Sequence, residues 1–343
     1  MLTTILSGGL IGLIFGFILQ RTRFCLTGGF RDMYIARNNT LFYAFLIAIT
    51  VESIGVLSLI QLGIIGNPYE EFSVLGAIVG SYLFGFGIVL AGGCATGTWY
   101  RAGEGLLGSG VALFFYMTSA AAMKSGFLVP LNQLIAKRWV INDDLAGQLG
   151  IPVWYLLVFL VAITSFIVIR ELRKPRRQIA TLPSKYKGVR HYLFEKTYHK
   201  YFAGFLIGLV ALIAWPASQL TGRVGGLGIT TPSAHLISYI ITGDSKQLGW
   251  GVFLVLGIFL GSFLAAKGSR EFRWRLPDLS TIGKSTLGGI FMGIGASWAG
   301  GCTIGNGLTA TAIFSSKGWI ALPVTILGVW TASYIIFVKP NKN

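Results

Sequence analysis

The chain contains three cysteines, Cys25, Cys94 and Cys302, and each lies at a glycine-rich break between apolar segments. An odd number of widely spaced cysteines fits neither a disulfide framework nor a zinc site. A lone cysteine in an apolar helix is usually a small buried hydrophobe, but none of these lies inside a predicted helix. A neutral thiol is a weak S–H donor and can contact the soft sulfur atom of an anion without repelling its charge. The pattern therefore favours three contact points for such an anion, with thiols that stay protonated at rest.

Two of the cysteines belong to a repeated motif. The stretches Ala91-Gly-Gly-Cys94-Ala-Thr-Gly97 and Ala299-Gly-Gly-Cys302-Thr-Ile-Gly305 share the string A-G-G-C-x-x-G, and each follows a Gly-rich apolar segment. Small residues allow close helix packing in any membrane bundle, but packing alone does not require a cysteine at the same place twice. The repeat therefore indicates a duplicated functional element.

The composition indicates which fold holds these motifs. Of the 343 residues, 53% are hydrophobic and only 12% are charged, whereas soluble domains are about a quarter charged. Repeated apolar runs of about 18 residues or more predict an all-α polytopic membrane protein, and the first run, which lacks a cleavage motif, is interpreted as a retained span. The nine predicted spans cover about 3–20, 41–62, 73–91, 106–123, 152–169, 201–217, 248–266, 285–299 and 319–337.

The positive charges predict the orientation of these spans. With the N-terminus outside and the C-terminus inside, 22 of the 28 Lys and Arg residues fall in inner segments, as the positive-inside rule requires. The third and eighth spans then run in opposite directions, so the two halves are inverted repeats, a transporter architecture. We predict repeat 1 over about 1–124, a fifth span with a basic cytoplasmic loop over about 125–200, and repeat 2 over about 201–338, around a central constriction.

Four segments between the spans are too short to cross a membrane, and each follows a break rich in Gly or Thr. They cover 27–38, 95–105, 231–242 and 303–314, the last beside a short eighth span. Half-helices whose N-termini point inward would gather unpaired N–H groups that attract an anion. Residues at these breaks are predicted to help the cysteines bind the substrate: Thr27, Gly93, Thr96, Thr231, Gly301 and Thr303.

Glu52 is the one acidic residue in the interior of a predicted span. Intramembrane carboxylates are costly and mark functional sites by default. Glu52 could carry a coupling proton, bind a half-helix N-terminus, or pair with Arg23, Arg31 or Arg101, and the structural roles are favoured over coupling. Lys124, at the outer end of the fourth span, either attracts anions or reaches the lipid interface.

The motifs resemble a known family of membrane proteins. The two A-G-G-C-x-x-G motifs, the element Arg21-Thr-Arg-Phe-Cys25-Leu-Thr-Gly-Gly29 and the nine-span layout are similar to the YeeE/YedE family over nearly the whole chain, and in particular to its bacterial thiosulfate uptake transporters. The resemblance implies a bacterial inner-membrane location and three pathway cysteines, Cys25, Cys94 and Cys302, which pass thiosulfate by successive S–H to sulfur contacts. It also implies a small TusA-like sulfur-carrier partner at the cytoplasmic face, expected as a separate chain. No metal or cofactor is expected.

Two other functions stay open. Family members linked to selenium metabolism make a carrier of another sulfur- or selenium-containing anion the nearest alternative. The second is a membrane thiol oxidoreductase or sulfurtransferase, which requires a covalent cysteine persulfide, although no base accompanies any cysteine in the sequence. The basic run from Arg170 to Lys200 is expected to meet anionic lipid, with carrier docking there as an alternative. Nucleic-acid binding is excluded, because most of the positive charge occupies short inner loops, and the chain lacks a P-loop for direct ATP drive.

Overall fold

A computed structural model of the chain describes residues 1–173, 188–196 and 198–339. Most of the basic run from Arg170 to Lys200, namely residues 174–187 and 197, lies outside the described residues, as do residues 340–343. The described elements, in chain order, are α1 (Leu2–Thr22), α2 (Leu26–Ile35), α3 (Thr40–Gln61), β1 (Glu71–Ser73), α4 (Val74–Leu90), α5 (Ala95–Gly103), α6 (Leu107–Ser125), α7 (Val129–Ala136), β2 (Val140–Asn142), α8 (Leu145–Leu149), α9 (Val153–Leu172), α10 (Val189–Phe194), α11 (Lys200–Gln219), α12 (Thr230–Thr242), α13 (Trp250–Gly268), α14 (Leu279–Trp298) and α15 (Ser316–Ser333), with a 3-10 turn at Ser245–Gln247 and π-helical turns at Gly305–Ala310 and Tyr334–Val338.

Nine helices in the described ranges are 17 to 22 residues long, and they correspond to the nine predicted spans. Among the described residues, seven apolar stretches can cross a membrane by length and composition, and an eighth is added if α6 and α7, which meet at 72°, form one span. The remaining long helix, α14, is more polar because it carries Lys284 and several Ser and Thr residues. It begins at Leu279, so the predicted short eighth span is a full-length helix. The prediction of an all-α polytopic membrane protein is confirmed.

Two of the spans continue past a short break. Helices α1 and α2 form one apolar stretch of 34 residues, and α4 and α5 form one of 30 residues. The breaks contain Cys25 and Cys94 as the residues that precede α2 and α5. In the second half of the chain, the comparable short elements are α12, which follows a loop after α11, and the π-helical turn Gly305–Ala310, which follows α14.

Helix packing in the first half of the chain is repeated in the second half. Helix α1 packs against α13 and α3 against α11, α4 packs against α15 and α14 against α6, and α4 and α14 pack against each other. The same set of contacts is obtained when α1, α3, α4 and α6 are exchanged with α11, α13, α14 and α15, respectively. For example, the contact of α1 with α13 becomes the contact of α11 with α3. The short helices follow the same rule, since α2 contacts α3 and α15 while α12 contacts α13 and α6. This exchange supports a division into two related halves, and the opposite orientation of the halves stays a prediction.

Glycines allow the closest of these helix crossings. A Cβ atom at Gly12 of α1 would lie 2.1 Å from the carbonyl oxygen of Leu254 on α13. A Cβ atom at Gly80 of α4 would lie 2.4 Å from the backbone nitrogen of Ala299, just after α14. Real side chains cannot approach a backbone so closely, so these helices contact each other backbone to backbone, as small residues permit in membranes.

A small extension lies over the predicted outer end of the second half. Strand β1 pairs antiparallel with β2, and the buried Asp143 follows β2 directly. The Asp143 carboxylate accepts hydrogen bonds from the Ser315 hydroxyl at 2.6 Å and from the Lys317 backbone N–H at 2.8 Å. Asp143 therefore satisfies donors in the first turn of α15 and fastens the extension to it.

The crossing of α1 and α13 predicts a difference between two neighbouring glycines. The Gly12→Leu substitution should lower the apparent melting temperature of the purified protein in detergent, because overpacking a tight contact costs about 1–3 kcal/mol. The matched control is Gly9→Leu on the same helix, where a Cβ atom meets nothing within 4 Å. Equal melting temperatures for the two variants would contradict the close approach.

Candidate functional site

Each of the three cysteines stands at the start of a helical turn. The backbone oxygens of Cys25, Cys94 and Cys302 each accept the N–H group of the residue four positions later, at 2.8 to 2.9 Å. The three cysteines also share the sequence C-x-x-G, which includes Cys25-Leu-Thr-Gly28. The repeated motif predicted from the sequence covers only the two longer copies, although the C-x-x-G string at Cys25 is also visible in the sequence. The Cys25 sulfur accepts the Gly28 N–H at 3.5 Å, and the Cys94 sulfur lies 3.5 Å from the position of a Cβ atom at Gly97, so these two thiols lie beside the first turn of the helix that follows.

The A-G-G part of the repeated motif has a structural role in ending a helix. Gly92 and Gly300 both adopt a left-handed backbone, with φ of 69° and 68°, a conformation that favours glycine. The alanine before each glycine is the C-cap of α4 or α14. This geometry explains why the two glycine motifs match, and it gives no reason for the cysteine that follows each of them.

The three cysteines lie close together although they are far apart in the sequence. Phe24 and Leu26, the two neighbours of Cys25, line the same small void as Cys94 and Ile304, which is two residues after Cys302. All three are buried, with exposed fractions of 7%, 3% and 2%, and none forms a disulfide. Within the described ranges, no group of three His, Cys, Asp or Glu residues is arranged to hold a metal ion.

Three threonines beside the cysteines carry buried hydroxyl groups. Thr27, Thr96 and Thr303 are each at most 5% exposed, and their hydroxyl oxygens have no hydrogen-bond partner among the described residues. Thr303 lies next to the Cys94 thiol. A buried hydroxyl without a partner is costly, so these groups are available to a ligand that offers hydrogen-bond partners.

The two predicted site glycines lie in the loops that carry the cysteines. Gly93 is next to Arg101, whose Nη1 is 3.6 Å from the position of a Cβ at Gly93. Gly301 lies against Asn306, whose Nδ2 donates to the Ala299 oxygen at 2.8 Å. A Cβ atom at Gly301 would lie 2.4 Å from the Asn306 side chain. The role of Asn306 in holding this loop could not be predicted from the sequence.

A cavity of about 410 Å³ reaches Cys302 from the predicted outer side. Its wall includes the loop 224–231 and the residues 300–302, and it carries charges of both signs, with Arg223 and Lys317 as cations and Glu70 and Asp143 as acids. Thr231 also lines this cavity and accepts a hydrogen bond from the Lys124 ammonium group at 2.6 Å. A role for Lys124 in attracting anions was one of its two predicted roles, whereas the positions of Arg223 and Lys317 in the same cavity wall depend on the packing of separate loops and were not predictable from the sequence.

The space beside Cys94 is much smaller. A void of about 10 Å³ lies there, roughly the minimum for one water molecule. Its lining is mostly apolar: Leu19, Phe24, Leu26, Cys94, Thr96, Gly97, Tyr100 and Ile304. The outer cavity therefore ends at Cys302, and the chain is closed between Cys302 and the other two cysteines.

A partly buried arginine lies close to the inner pair of cysteines. The Arg101 guanidinium group is within electrostatic range of Cys25 and Cys94. It donates a hydrogen bond from Nη1 to the Gly92 carbonyl oxygen and one from Nε to the Tyr100 hydroxyl at 3.4 Å. These two bonds use two of the five donors of an arginine. The site thus holds a cation beside the thiols on the side opposite the outer cavity.

Glu52 is completely buried and lies behind the wall of the outer cavity. Its Oε1 accepts a hydrogen bond from the indole Nε1 of Trp215 at 2.9 Å, and Trp215 lines the cavity. The expected alternative of an ion pair with an arginine is wrong. Arg23 pairs with Glu104 and Glu271, Arg31 pairs with Asp32, and Arg101 binds the Gly92 carbonyl.

An ion-pair network lies on the predicted inner side, around the break after α1. Glu271, in the loop between α13 and α14, is 3.0 Å from Arg23 and 3.6 Å from Arg21, and it accepts a hydrogen bond from Gln20 at 2.7 Å. Arg23 is also 3.4 Å from Glu104 at the end of α5. The network therefore links the break that contains Cys25 to both halves of the chain.

A family model described as sulphur transport matches residues 21–331. The chain belongs to the sulphur transport family. This membership confirms the resemblance to the YeeE/YedE family and the prediction of a membrane transporter rather than an enzyme. In the sulphur transport family, the chain is similar to two thiosulfate transporters named TsuA. The one from Escherichia coli (strain K12) is 54% identical over 343 residues, which cover 100% of this chain and 97% of the relative.

The second TsuA relative is more distant. The thiosulfate transporter TsuA of Spirochaeta thermophila is 33% identical over 345 residues, which cover 96% of this chain and 98% of the relative. A shorter match links the chain to the probable transporter YedE of Escherichia coli (strain K12), at 45% identity over 96 residues, 28% of this chain and 23% of that relative.

The inner network predicts a pH-dependent contribution of Glu271 to stability. Burial favours the neutral acid, but the Gln20 hydrogen bond and the charges of Arg23 and Arg21 outweigh it and lower the pKa of Glu271 below its usual value of 4.5. A lowered pKa stabilises the fold above pH 4.5, and this stabilisation is lost as the pH falls through the folded-state pKa. The Glu271→Gln variant should therefore melt below the wild type at pH 7, and the difference should shrink as the pH falls below about 4.5.

The control for this measurement is Glu71→Gln, since Glu71 is exposed on β1. That variant should melt like the wild type throughout the same pH range. A Glu271→Gln difference that does not shrink between pH 7 and pH 3.5 would contradict the proposed ion pairs, because their contribution to stability decreases once the pH is below the usual pKa of 4.5.

Proposed function

We propose that the chain takes up thiosulfate across the cytoplasmic membrane of a bacterium, through a central pathway lined by Cys302, Cys94 and Cys25. The observation that carries the proposal is the juxtaposition of three buried thiols, each at the start of a helical turn, with Cys302 at the end of a cavity that opens to one side. Membership of the sulphur transport family and the similarity to two thiosulfate transporters over nearly their whole length support the choice of substrate.

Entry begins in the outer cavity. Lys317 and Arg223 in its wall attract a dianion, while Glu70 and Asp143 limit how strongly the cavity holds it. The N–H groups at the start of α12, near Thr231, carry the positive end of a helix dipole and can bind sulfonate oxygens. The terminal sulfur of the anion then meets the Cys302 thiol.

Passage continues by exchange of one thiol for the next. Each neutral thiol offers an S–H group to the terminal sulfur of thiosulfate, and the hydroxyls of Thr303, Thr96 and Thr27, which lack protein partners among the described residues, donate to the sulfonate oxygens. The contacts are individually weak, so the anion can leave each thiol for the next. Arg101 balances the negative charge when the anion has reached the inner two cysteines.

Movement past Cys94 requires a local opening. The apolar lining of the void beside Cys94, which includes Leu19, Phe24 and Ile304, must separate by a few ångströms. Phe24 belongs to the break after α1, and Ile304 to the break after α14. These two breaks come from different halves of the chain, so a small displacement of one half against the other opens the constriction.

The topology that accompanies this function is also proposed. The N-terminus lies outside, the halves 1–124 and 201–338 are inverted repeats, and thiosulfate leaves at the face that carries the Arg21–Glu271 network. A small TusA-like sulfur carrier on this cytoplasmic face would accept the terminal sulfur on a thiol, with release of sulfite. Inverted vesicles expose the cytoplasmic face, so purified carrier added outside vesicles preloaded with labelled thiosulfate should speed the loss of label, and an unchanged rate would remove the carrier from the proposal.

Glu52 is proposed as a structural residue. The Trp215 indole donates a hydrogen bond to Glu52, and Trp215 in turn lies 2.6 Å from the position of a Cβ atom at Gly226 in the cavity wall. The carboxylate therefore sets the shape of the wall, while the substrate does not touch it.

Removing any one thiol should block the pathway. Cys25→Ala, Cys94→Ala and Cys302→Ala should each lower the uptake of labelled thiosulfate into proteoliposomes at least about tenfold, since one hydrogen bond to a charged ligand is worth about 1.5–3 kcal/mol. The control is Ser58→Ala, which removes an exposed hydroxyl bonded only to its own helix. Normal uptake by all three alanine variants, at equal protein levels, would refute the pathway.

The same proteoliposomes separate thiosulfate from the alternative substrates and from a covalent mechanism. An excess of selenite or sulfite should compete weakly with labelled thiosulfate; strong competition would favour a carrier of another sulfur or selenium anion. Intact mass after exposure to thiosulfate should be unchanged. A mass increase of one sulfur atom that disappears in a cysteine variant would instead favour a sulfurtransferase.

The structural role of Glu52 predicts different results for two substitutions. Glu52→Gln keeps an oxygen acceptor for the Trp215 N–H and should retain uptake within about twofold, whereas Glu52→Leu leaves that buried donor unpaired and should lose folded protein or uptake. The measurement is the uptake rate with and without an imposed pH gradient. A Gln variant that transports but no longer responds to a gradient that drives the wild type would assign Glu52 to proton coupling.

A further inference from the structure

A second cavity lies between α6 and the segment that leads into α14, away from the cysteines. It has a volume of about 470 Å³, and its walls are apolar side chains from α6 and from the segment that leads into α14: Leu107, Val111, Phe114, Phe115, Leu276 and Ile282. On α6 these residues recur at intervals of three and four, so they form one face of the helix. That face runs for about 12 Å at 1.5 Å per residue, most of the roughly 15 Å that one leaflet contributes to the hydrocarbon core.

Both walls of this groove are fixed to each other. The extended segment before α14 donates backbone hydrogen bonds from Arg273 to the Glu104 oxygen at 3.4 Å and from Arg275 to the Gly105 oxygen at 3.0 Å. The Leu107 N–H at the start of α6 donates to the Arg275 oxygen at 3.2 Å. The groove is therefore a fixed part of the fold. One of its ends lies at the start of α6, next to Arg273 and Arg275.

The segment at this end has the properties of a membrane interface. Trp274, Leu276 and Leu279 are exposed by 70%, 86% and 86%, and tryptophan is typical of the headgroup level. Apolar side chains so exposed beside arginines fit a position where acyl chains meet lipid headgroups.

The charge of the same segment is strongly positive. Residues 267–284 contain five basic residues, namely Lys267, Arg270, Arg273, Arg275 and Lys284, against two acidic residues, Glu271 and Asp278. Both acids are engaged by protein groups, since Glu271 binds Arg21 and Arg23 while Asp278 caps α14. Arg273, Arg275 and Lys284 are exposed, so this end of the groove attracts a negatively charged group.

We propose that the groove between α6 and the segment before α14 binds one anionic glycerophospholipid, with an acyl chain along the α6 face and the headgroup phosphate at Arg273, Arg275 and Lys284. The apolar groove selects the chain, and the basic residues select the charge of the headgroup. The site is separate from the thiol pathway, so a test of lipid binding does not depend on which anion the chain transports.

The test compares phosphatidylglycerol with phosphatidylcholine of the same acyl chains. Native mass spectrometry of the purified chain should retain one phosphatidylglycerol per chain and at least about tenfold less phosphatidylcholine. Equal retention of the two lipids would overturn the headgroup assignment. Inorganic phosphate at millimolar concentration should not displace the lipid, and displacement would show that the chain is not held in the groove.

A filled groove provides the second arm. Gly110 lines the groove, and a Cβ atom there meets nothing within 4 Å, so Gly110→Leu should fold while its side chain occupies the chain site. Phosphatidylglycerol retention should fall at least about tenfold in this variant and stay at the wild-type level in Gly9→Leu, a glycine with equally open space on α1. Retention by Gly110→Leu equal to that of the wild type would overturn the proposal.

A third experiment tests the headgroup position by removing positive charge without changing the apolar groove. Arg273→Gln combined with Arg275→Gln should lower phosphatidylglycerol retention to the level of phosphatidylcholine and leave phosphatidylcholine unchanged. A phosphatidylglycerol with a photoreactive group in its acyl chain should label peptides of the wild-type chain that contain residues 107–115 or 276–282. Labelling confined to other helices would overturn the site even if the double variant failed to fold.

Discussion

An interrupted helix inside a membrane leaves backbone N–H and C=O groups that lipid cannot satisfy. These groups need partners within the protein, and the fold is arranged around the helix breaks where they are found. At two breaks a left-handed glycine, Gly92 or Gly300, ends the helix, and the carbonyl of the following cysteine accepts the first bond of the next helical turn. The cysteines therefore occupy the positions where the chain has to change its hydrogen-bond partners. A thiol can lie there without adding a strong polar group that would need a partner of its own.

The close packing of the helices follows from the same need to keep these breaks away from lipid. Helix α4 and helix α14 contact each other backbone to backbone near Gly80, and each carries one copy of the cysteine motif just past its end. Their mutual contact holds the two breaks in the protein interior. Helix α9 belongs to neither of the two related sets of helices. Among the described elements it packs mainly on α3, and most of its surface is exposed.

The helices were predictable from the sequence because apolar length and loop charge act locally along the chain. All nine long helices overlap the apolar runs that predicted them, and the positions of Cys25, Cys94 and Cys302 at breaks followed from the glycines beside them. What the sequence could not give is the set of partners brought together by packing. Glu52 bonds Trp215, which is 163 positions away, and Asp143 bonds Ser315, which is 172 positions away. The start of α14 was misplaced because Lys284 and its polar neighbours interrupt the apolar run.

The void beside Cys94 has a consequence for the energy balance of the cell. A continuous file of water across a membrane protein conducts protons, and a space of about 10 Å³ holds at most one water molecule. Most of the side chains around it are apolar, and Thr96, Tyr100 and Cys94 supply its few polar groups. In this closed form, the chain therefore holds no continuous file of water past Cys94 along which protons could cross.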